Sequence, residues 1–287
     1  MVVIAILIVV AAVLIGGVPF LVEKSIQYIP MGAGPYVKSE DIESTLYNLV
    51  VFFTLLLIAT VLIYLLFSKR RILNIFLYTV WYLISVGVIL FYTILYYLSG
   101  LLNETIAVVL MPASFLIGGA VVYLVYKRRG DIILGFIGSL AGVMFVSLLP
   151  EMTIVMLLVA LPIYDYIMVS RGLLGKLIKK SKESVVNKDV DVKRGDTPLF
   201  GFVVRLKTLS LGVGDFVVYA MALSYIFINN LRLGLELAIF LLGVGAFLIY
   251  LGFVLTVEVF LKRWGYGPAL PFPILALFPL ILLTWLI

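Results

Sequence analysis

Long apolar runs separated by short polar breaks recur along the whole chain. Read between the breaks, they predict nine spans, near residues 2–22, 48–67, 74–98, 104–126, 132–150, 152–170, 210–229, 234–259 and 268–287. Each is close to the ~20 residues a helix needs to cross a hydrocarbon core. Spans five and six are parted only by Pro150 and Glu151. A proline followed by an acid suits a tight exit and a fresh helix start, because the acid complements the positive end of the helix dipole. One stretch has a different period. Phe200, Phe202, Val204 and Leu206 alternate with Gly201, Val203, Arg205 and Lys207, an incomplete strand signal. The fold class this pattern predicts is an all-α polytopic membrane protein with nine transmembrane helices, and no internal repeat is evident.

Composition agrees. With 64% hydrophobic and 13% charged residues, and a mean hydropathy of +1.25, the 287 residues do not make a soluble globule. The first 22 residues lack a charged leader segment and their apolar run is long, so they read as a retained first helix. The net charge of +6 does not indicate nucleic acid, because the basic residues sit in short clusters between apolar runs. Such clusters face the cytoplasm and its anionic lipid. Lys69, Arg70 and Arg71, then Lys127, Arg128 and Arg129, the basic residues of 171–209, and Lys262 with Arg263 all fall on one side; Lys24, Lys38 and Arg232 fall on the other. The asymmetry predicts a cytoplasmic N-terminus and an outside C-terminus. The chain then divides into helices one to six (1–170), a cytoplasmic loop (171–209) and helices seven to nine (210–287), forming one integrated membrane domain. The loop begins with Leu173, Leu174, Leu177 and Ile178 on one helical face and Lys176, Lys179, Lys180 and Lys182 around it. That pattern fits an interfacial helix or a solvated basic linker.

Cysteine and histidine are both absent. Thiol and imidazole nucleophiles, disulfides and most transition-metal sites go with them, so no metal or cofactor is expected. Acid–base chemistry is left to Asp, Glu, Lys and Tyr. Among the 15 acidic residues, Asp165 and Asp215 alone lie well inside apolar sequence with no basic residue on their own helix turns. Asp165 lies six residues before Arg171, ~9 Å of helix, and Asp215 eight residues after Lys207, ~12 Å if helical throughout. Both therefore fall in the cytoplasmic third of the bilayer on helices six and seven. A carboxylate at that depth costs several kcal/mol unless paired or hydrated. Two such groups face to face share a proton, giving the acid and base that peptide hydrolysis by water requires. The residues alone leave other readings open: aspartates that pin neighbouring helices, a proton- or cation-coupled transporter, or a non-catalytic chaperone or channel for membrane segments.

Gly212 and Gly214 flank the second aspartate, and Pro268, Pro271 and Pro273 interrupt the start of the last span. Alone, the glycines fit helix packing and the prolines a helix N-terminus. Together, Tyr164-Asp165 in span six, Gly212-Val213-Gly214-Asp215 in span seven and Pro268-Ala269-Leu270 at the start of span nine resemble the presenilin and signal-peptide-peptidase family of intramembrane aspartyl proteases. Order, spacing and the nine-helix plan all match. Phe216, Tyr219 and Pro271, with the predicted orientation, are similar to presenilins in particular, especially their compact microbial homologues.

The resemblance implies a presenilin-like fold and hydrolysis of peptide bonds within transmembrane proteins or peptides. It implies Asp165 and Asp215 as the catalytic pair, with Gly212, Gly214, Pro268, Ala269 and Leu270 shaping the substrate site and Tyr164 supporting the motif. It further implies that substrate is held as a strand, for which the run Phe200–Leu206 and the proline-interrupted segment are the candidates. The chain departs from eukaryotic presenilins in its minimal hydrophilic N-terminal tail and its short loop between spans six and seven. Those departures argue against obligate partner subunits and leave a homo-oligomer open.

Overall fold

The computed structural model describes residues 2–22, 34–66, 69–127, 130–170, 203–206, 209–261 and 267–286. Among them are nine α-helices: α1 (Val2–Val22), α2 (Ile42–Leu66), α3 (Arg70–Leu98), α4 (Glu104–Tyr126), α5 (Asp131–Leu148), α6 (Glu151–Ser170), α7 (Val213–Asn230), α8 (Leu235–Thr256) and α9 (Pro271–Leu286). A π-helical turn, Val257–Leu261, continues α8. Eight of the nine are long and apolar enough to cross a membrane, and α9 is a shorter apolar helix. The chain is a multi-pass, all-α membrane protein, as the hydropathy pattern predicts.

Helix starts follow the acidic residues. Glu43, Glu104, Asp131, Glu151, Asp215 and Glu236 each occupy a first turn, where they complement the helix dipole. The break at Pro150 is a true corner, since α5 ends at Leu148 and α6 begins at Glu151. Glu40 secures it from a distance in sequence: its two carboxylate oxygens accept the amides of Glu151 (3.0 Å) and Met152 (3.2 Å), which no carbonyl within α6 can reach.

The long helix α7 is the axis of the bundle and packs against α1, α5, α6, α8 and α9. Its nearest neighbour is α5, whose Gly135, Gly138 and Gly142 lie against Phe216, Val213 and the Val217 carbonyl. Absent side chains let two backbones approach closely, and dispersion does the holding in a solvent as apolar as the protein. By contrast α2 is peripheral. Its buried residues are polar, Thr45 and Asn48. Asn48 accepts the Val37 amide (2.8 Å) and donates to the Val37 carbonyl (2.8 Å) and the Thr153 hydroxyl (3.2 Å), fastening α2 to α6.

Two predicted boundaries are corrected. Residues 210–212, expected as the start of span seven, are extended. Strand β2 (Leu209–Gly212) pairs antiparallel with β1 (Val203–Leu206), Val203 opposite Gly212 and Leu206 opposite Leu209. Over four apolar residues, periods of two and 3.6 look alike, and the pairing decides. The strand signal at 203–206 is therefore realised; 200–202 lie outside the described residues, as does the predicted interfacial segment from 171. Span nine likewise becomes helical at Pro271, not 268. Proline disfavours helix in the residue before it, so Pro271 keeps Leu270 out of the helix, and the segment before it with it. At 16 residues, α9 is ~24 Å long, short of a ~30 Å core.

Candidate active site

Asp165 and Asp215 come together. Asp165 lies on α6 five residues before its end, half-buried among α7 and the segment preceding α9. Asp215 is the third residue of α7, again half-buried. The condition attached to the ~12 Å from Lys207, helix throughout, is not met; Asp215 sits at the start of its helix, where the strand ends. The two carboxylates are near enough for their charges to act on each other directly.

Each carboxylate is held through one oxygen by a backbone amide from a non-helical segment. The Gly212 N–H donates to Asp215 Oδ2 at 2.9 Å, and the Leu270 N–H donates to Asp165 Oδ2 at 3.1 Å. Such charge-assisted bonds orient a carboxylate. The first follows from the sheet. An antiparallel ladder alternates bonded and non-bonded pairs, and the Gly212 amide, turned away from β1, is free to reach Asp215. A Cβ at Gly212 would lie 3.2 Å from Asp215 Oδ2, so a larger residue there would push that oxygen by a few tenths of an ångström. Gly214 differs. It is exposed, and a Cβ would meet nothing within 4 Å among the described residues.

Of the Pro268–Leu270 segment, Pro268 and Leu270 are buried and Ala269 is half-buried. The Ala269 carbonyl accepts a 2.6 Å hydrogen bond from the Tyr219 hydroxyl. Tyr219 stands four residues after Asp215, on the same face of α7, and its phenol lies within electrostatic reach of both carboxylates. This contact was not anticipated from sequence, although the i, i+4 spacing from Asp215 was the signal available. Tyr164, expected beside the motif, turns away from it. Its hydroxyl meets Thr60 on α2 (3.3 Å) and its ring meets Phe53, so it links α6 to α2.

An almost wholly apolar groove of about 430 Å3 runs between α6 and α9 beside Asp165, lined by Leu158, Pro162, Tyr166, Phe272, Leu275 and Phe278 among others. At the far end of α7 a polar cavity of about 370 Å3 contains Glu40 and Glu151. Glu40 caps α6, while Glu151 accepts from Tyr225 (2.7 Å) and Asn229 (3.3 Å), so both serve helix ends. Among the described residues no group of three or more Asp or Glu comes together to hold a metal. No protein-family model matches the chain, and no curated protein matches it.

Proposed function

We propose that the chain is an intramembrane aspartyl protease with a presenilin-like fold, cutting peptide bonds in transmembrane segments. The observation that carries the reading is the junction of Asp165, Asp215 and the Ala269–Leu270 peptide. Asp165 of α6 accepts from the Leu270 amide, Tyr219 of α7 donates to the Ala269 carbonyl, and the two carboxylates lie within reach of each other's charge. The Gly212–Asp215 bond is an ordinary helix cap; what a helix cap alone does not require is the second carboxylate beside it. Two carboxylates brought together inside a membrane protein suit a shared proton.

The chemistry needs no further group. In the singly protonated pair, the ionised carboxylate takes a proton from water as the oxygen adds to the scissile carbonyl carbon. The protonated carboxyl gives its proton to the carbonyl oxygen. The resulting gem-diol collapses, the C–N bond breaks, the amine leaves with a proton, and the pair returns to one proton between two acids. The groove between α6 and α9, whose lining includes Tyr166 next to Asp165 in sequence, offers an apolar substrate segment a place to lie. The orientation read from the basic clusters puts the pair toward the cytoplasmic face.

The test is mass spectrometry of products from a purified, reconstituted enzyme and a generic single-span substrate. The expected result is cleavage within the apolar segment, abolished in Asp165→Asn and Asp215→Asn, both of which keep the wild-type melting temperature. Asparagine preserves size but removes the titrating proton. Turnover retained in either variant overturns the reading, and ion-dependent flux in sealed vesicles without cleavage points to a transporter.

A further inference from the structure

The Ala269 carbonyl and the Leu270 N–H belong to one peptide unit. No described peptide bond is cis. In a trans peptide these two groups point in opposite directions. The unit is therefore gripped from both sides: Tyr219 of α7 holds its oxygen at 2.6 Å, and Asp165 of α6 holds its hydrogen at 3.1 Å. Rotation of this plane breaks both bonds together. Neither group has a helical partner, since α9 starts one residue later and its first bond, from the Ile274 N–H at 3.1 Å, goes to the Leu270 carbonyl.

We propose that Tyr219 is a positioning residue for the carboxylate pair, acting through the Ala269–Leu270 peptide. Its hydroxyl sets the plane of that peptide, and the plane sets which oxygen of Asp165 is tied and which is left facing Asp215. Because Tyr219 and Asp215 share one face of α7, the bond also fixes the distance between the helices that carry the two acids. The proposal rests on the protease reading for its consequence but not for its geometry.

Two readouts separate those parts. The first is exchange of the Leu270 amide in protein labelled with [1-13C]alanine and [15N]leucine. Ala-Leu steps occur at 160–161, 222–223, 269–270 and 276–277, so few amides are selected, and Leu270→Val identifies the one of interest. In Tyr219→Phe, Leu270 exchange should accelerate by about tenfold or more, as a bond that protected it from opening is lost. The steps at 160–161, 222–223 and 276–277, all within helices, should be unchanged. The second readout is kinetic. Tyr219→Phe should lower kcat by about tenfold to a hundredfold with KM within about twofold, the signature of lost positioning with substrate binding intact. para-Aminophenylalanine at 219, which restores a donor, should recover both. Unchanged Leu270 exchange in Tyr219→Phe overturns the proposal, as does accelerated exchange with full turnover. If the wild-type protein cuts no substrate, the protease reading fails while exchange still decides the clamp. Should the phenylalanine variant not fold, 3,5-difluorotyrosine at 219, a stronger donor of similar shape, must slow Leu270 exchange; an unaltered rate counts against the clamp.

Discussion

A methyl group on Gly142 would overlap the Val217 carbonyl and lie 3.0 Å from the Ala220 Cβ, whereas one on Gly214 would meet nothing within 4 Å. The two glycines thus have opposite tolerances. Gly142→Ala should force α5 and α7 apart and lower stability by ~1–3 kcal/mol, the usual cost of overpacking. Gly214→Ala should leave the melting temperature unchanged. Thermal unfolding of both variants in one detergent checks this, and equal melting temperatures would show the α5–α7 contact to be slack. At this scale the sequence was informative where chemistry is conspicuous. Asp165 and Asp215 stand out because a carboxylate in hydrocarbon is costly. Gly142 and Tyr219 did not stand out, because a helix-face glycine or tyrosine has no meaning until its neighbour on another helix is known. The partners of Tyr164 were illegible for the same reason. Its position in the chain places it beside Asp165, but its side chain leaves on the α2 side of the helix.

Most helices could be read from apolar length alone, and the corner at Pro150–Glu151 from its two residues. What could not be read was where an apolar run changes conformation midway, at Gly212 and at Pro271, because hydropathy is blind to backbone. The strands have consequences of their own. With the Gly212 amide bonded to Asp215, the pairs Val203–Gly212 and Arg205–Ser210 are the non-bonded ones, so the Ser210 N–H points away from β1 along the edge leading to Asp215. A substrate strand added there gains backbone hydrogen bonds that hydrocarbon does not supply. Ser210→Pro removes that outward donor without touching the β1–β2 ladder, so it should reduce cleavage of a full transmembrane substrate more than that of a short extended peptide. Val204→Pro, which breaks the ladder itself, should impair both. Equal losses for both substrates in Ser210→Pro would eliminate strand addition at this edge. A second element, the start of α2, carries a pH dependence. The Asp41 carboxyl accepts the Ser44 amide at 2.8 Å, and the Ser44 hydroxyl and amide together hold its pKa below the ordinary 3.8. A depressed acid stabilises the fold above its unfolded pKa, and that contribution is lost as pH falls through the folded value. Asp41→Asn keeps a capping acceptor, so its melting temperature should fall less than that of the wild type between neutral and acid pH.

For the whole molecule, function depends on which face of the membrane the carboxylate pair approaches. Asp215 opens α7 and Asn229 closes it, so the pair and the polar cavity at Glu151 lie toward opposite ends of the central helix. The basic residues give an expectation for which end faces which side. Lys69, Lys127 and the clusters around 171–209 and 262–263 follow even-numbered spans or precede odd ones, whereas Lys24, Lys38 and Arg232 stand alone on the other side. Moving lysines and arginines across a bilayer is opposed by their hydration and by anionic lipid on the inner leaflet, so the expectation is that the clustered side is cytoplasmic. The order of helices makes this a strict alternation. If the α4–α5 connection is inside, the α3–α4 connection must be outside, and the segment joining α6 to α7 inside. The absence of native cysteine makes the alternation directly measurable. Leu101→Cys, exposed between α3 and α4, should react with a membrane-impermeant maleimide applied to intact cells. Lys127→Cys, at the end of α4, should react only after permeabilisation. The opposite pattern would put the carboxylate pair at the outer face, and labelling of both from one side would mean that a span has been miscounted and that the matched depth of Asp165 and Asp215 has another origin.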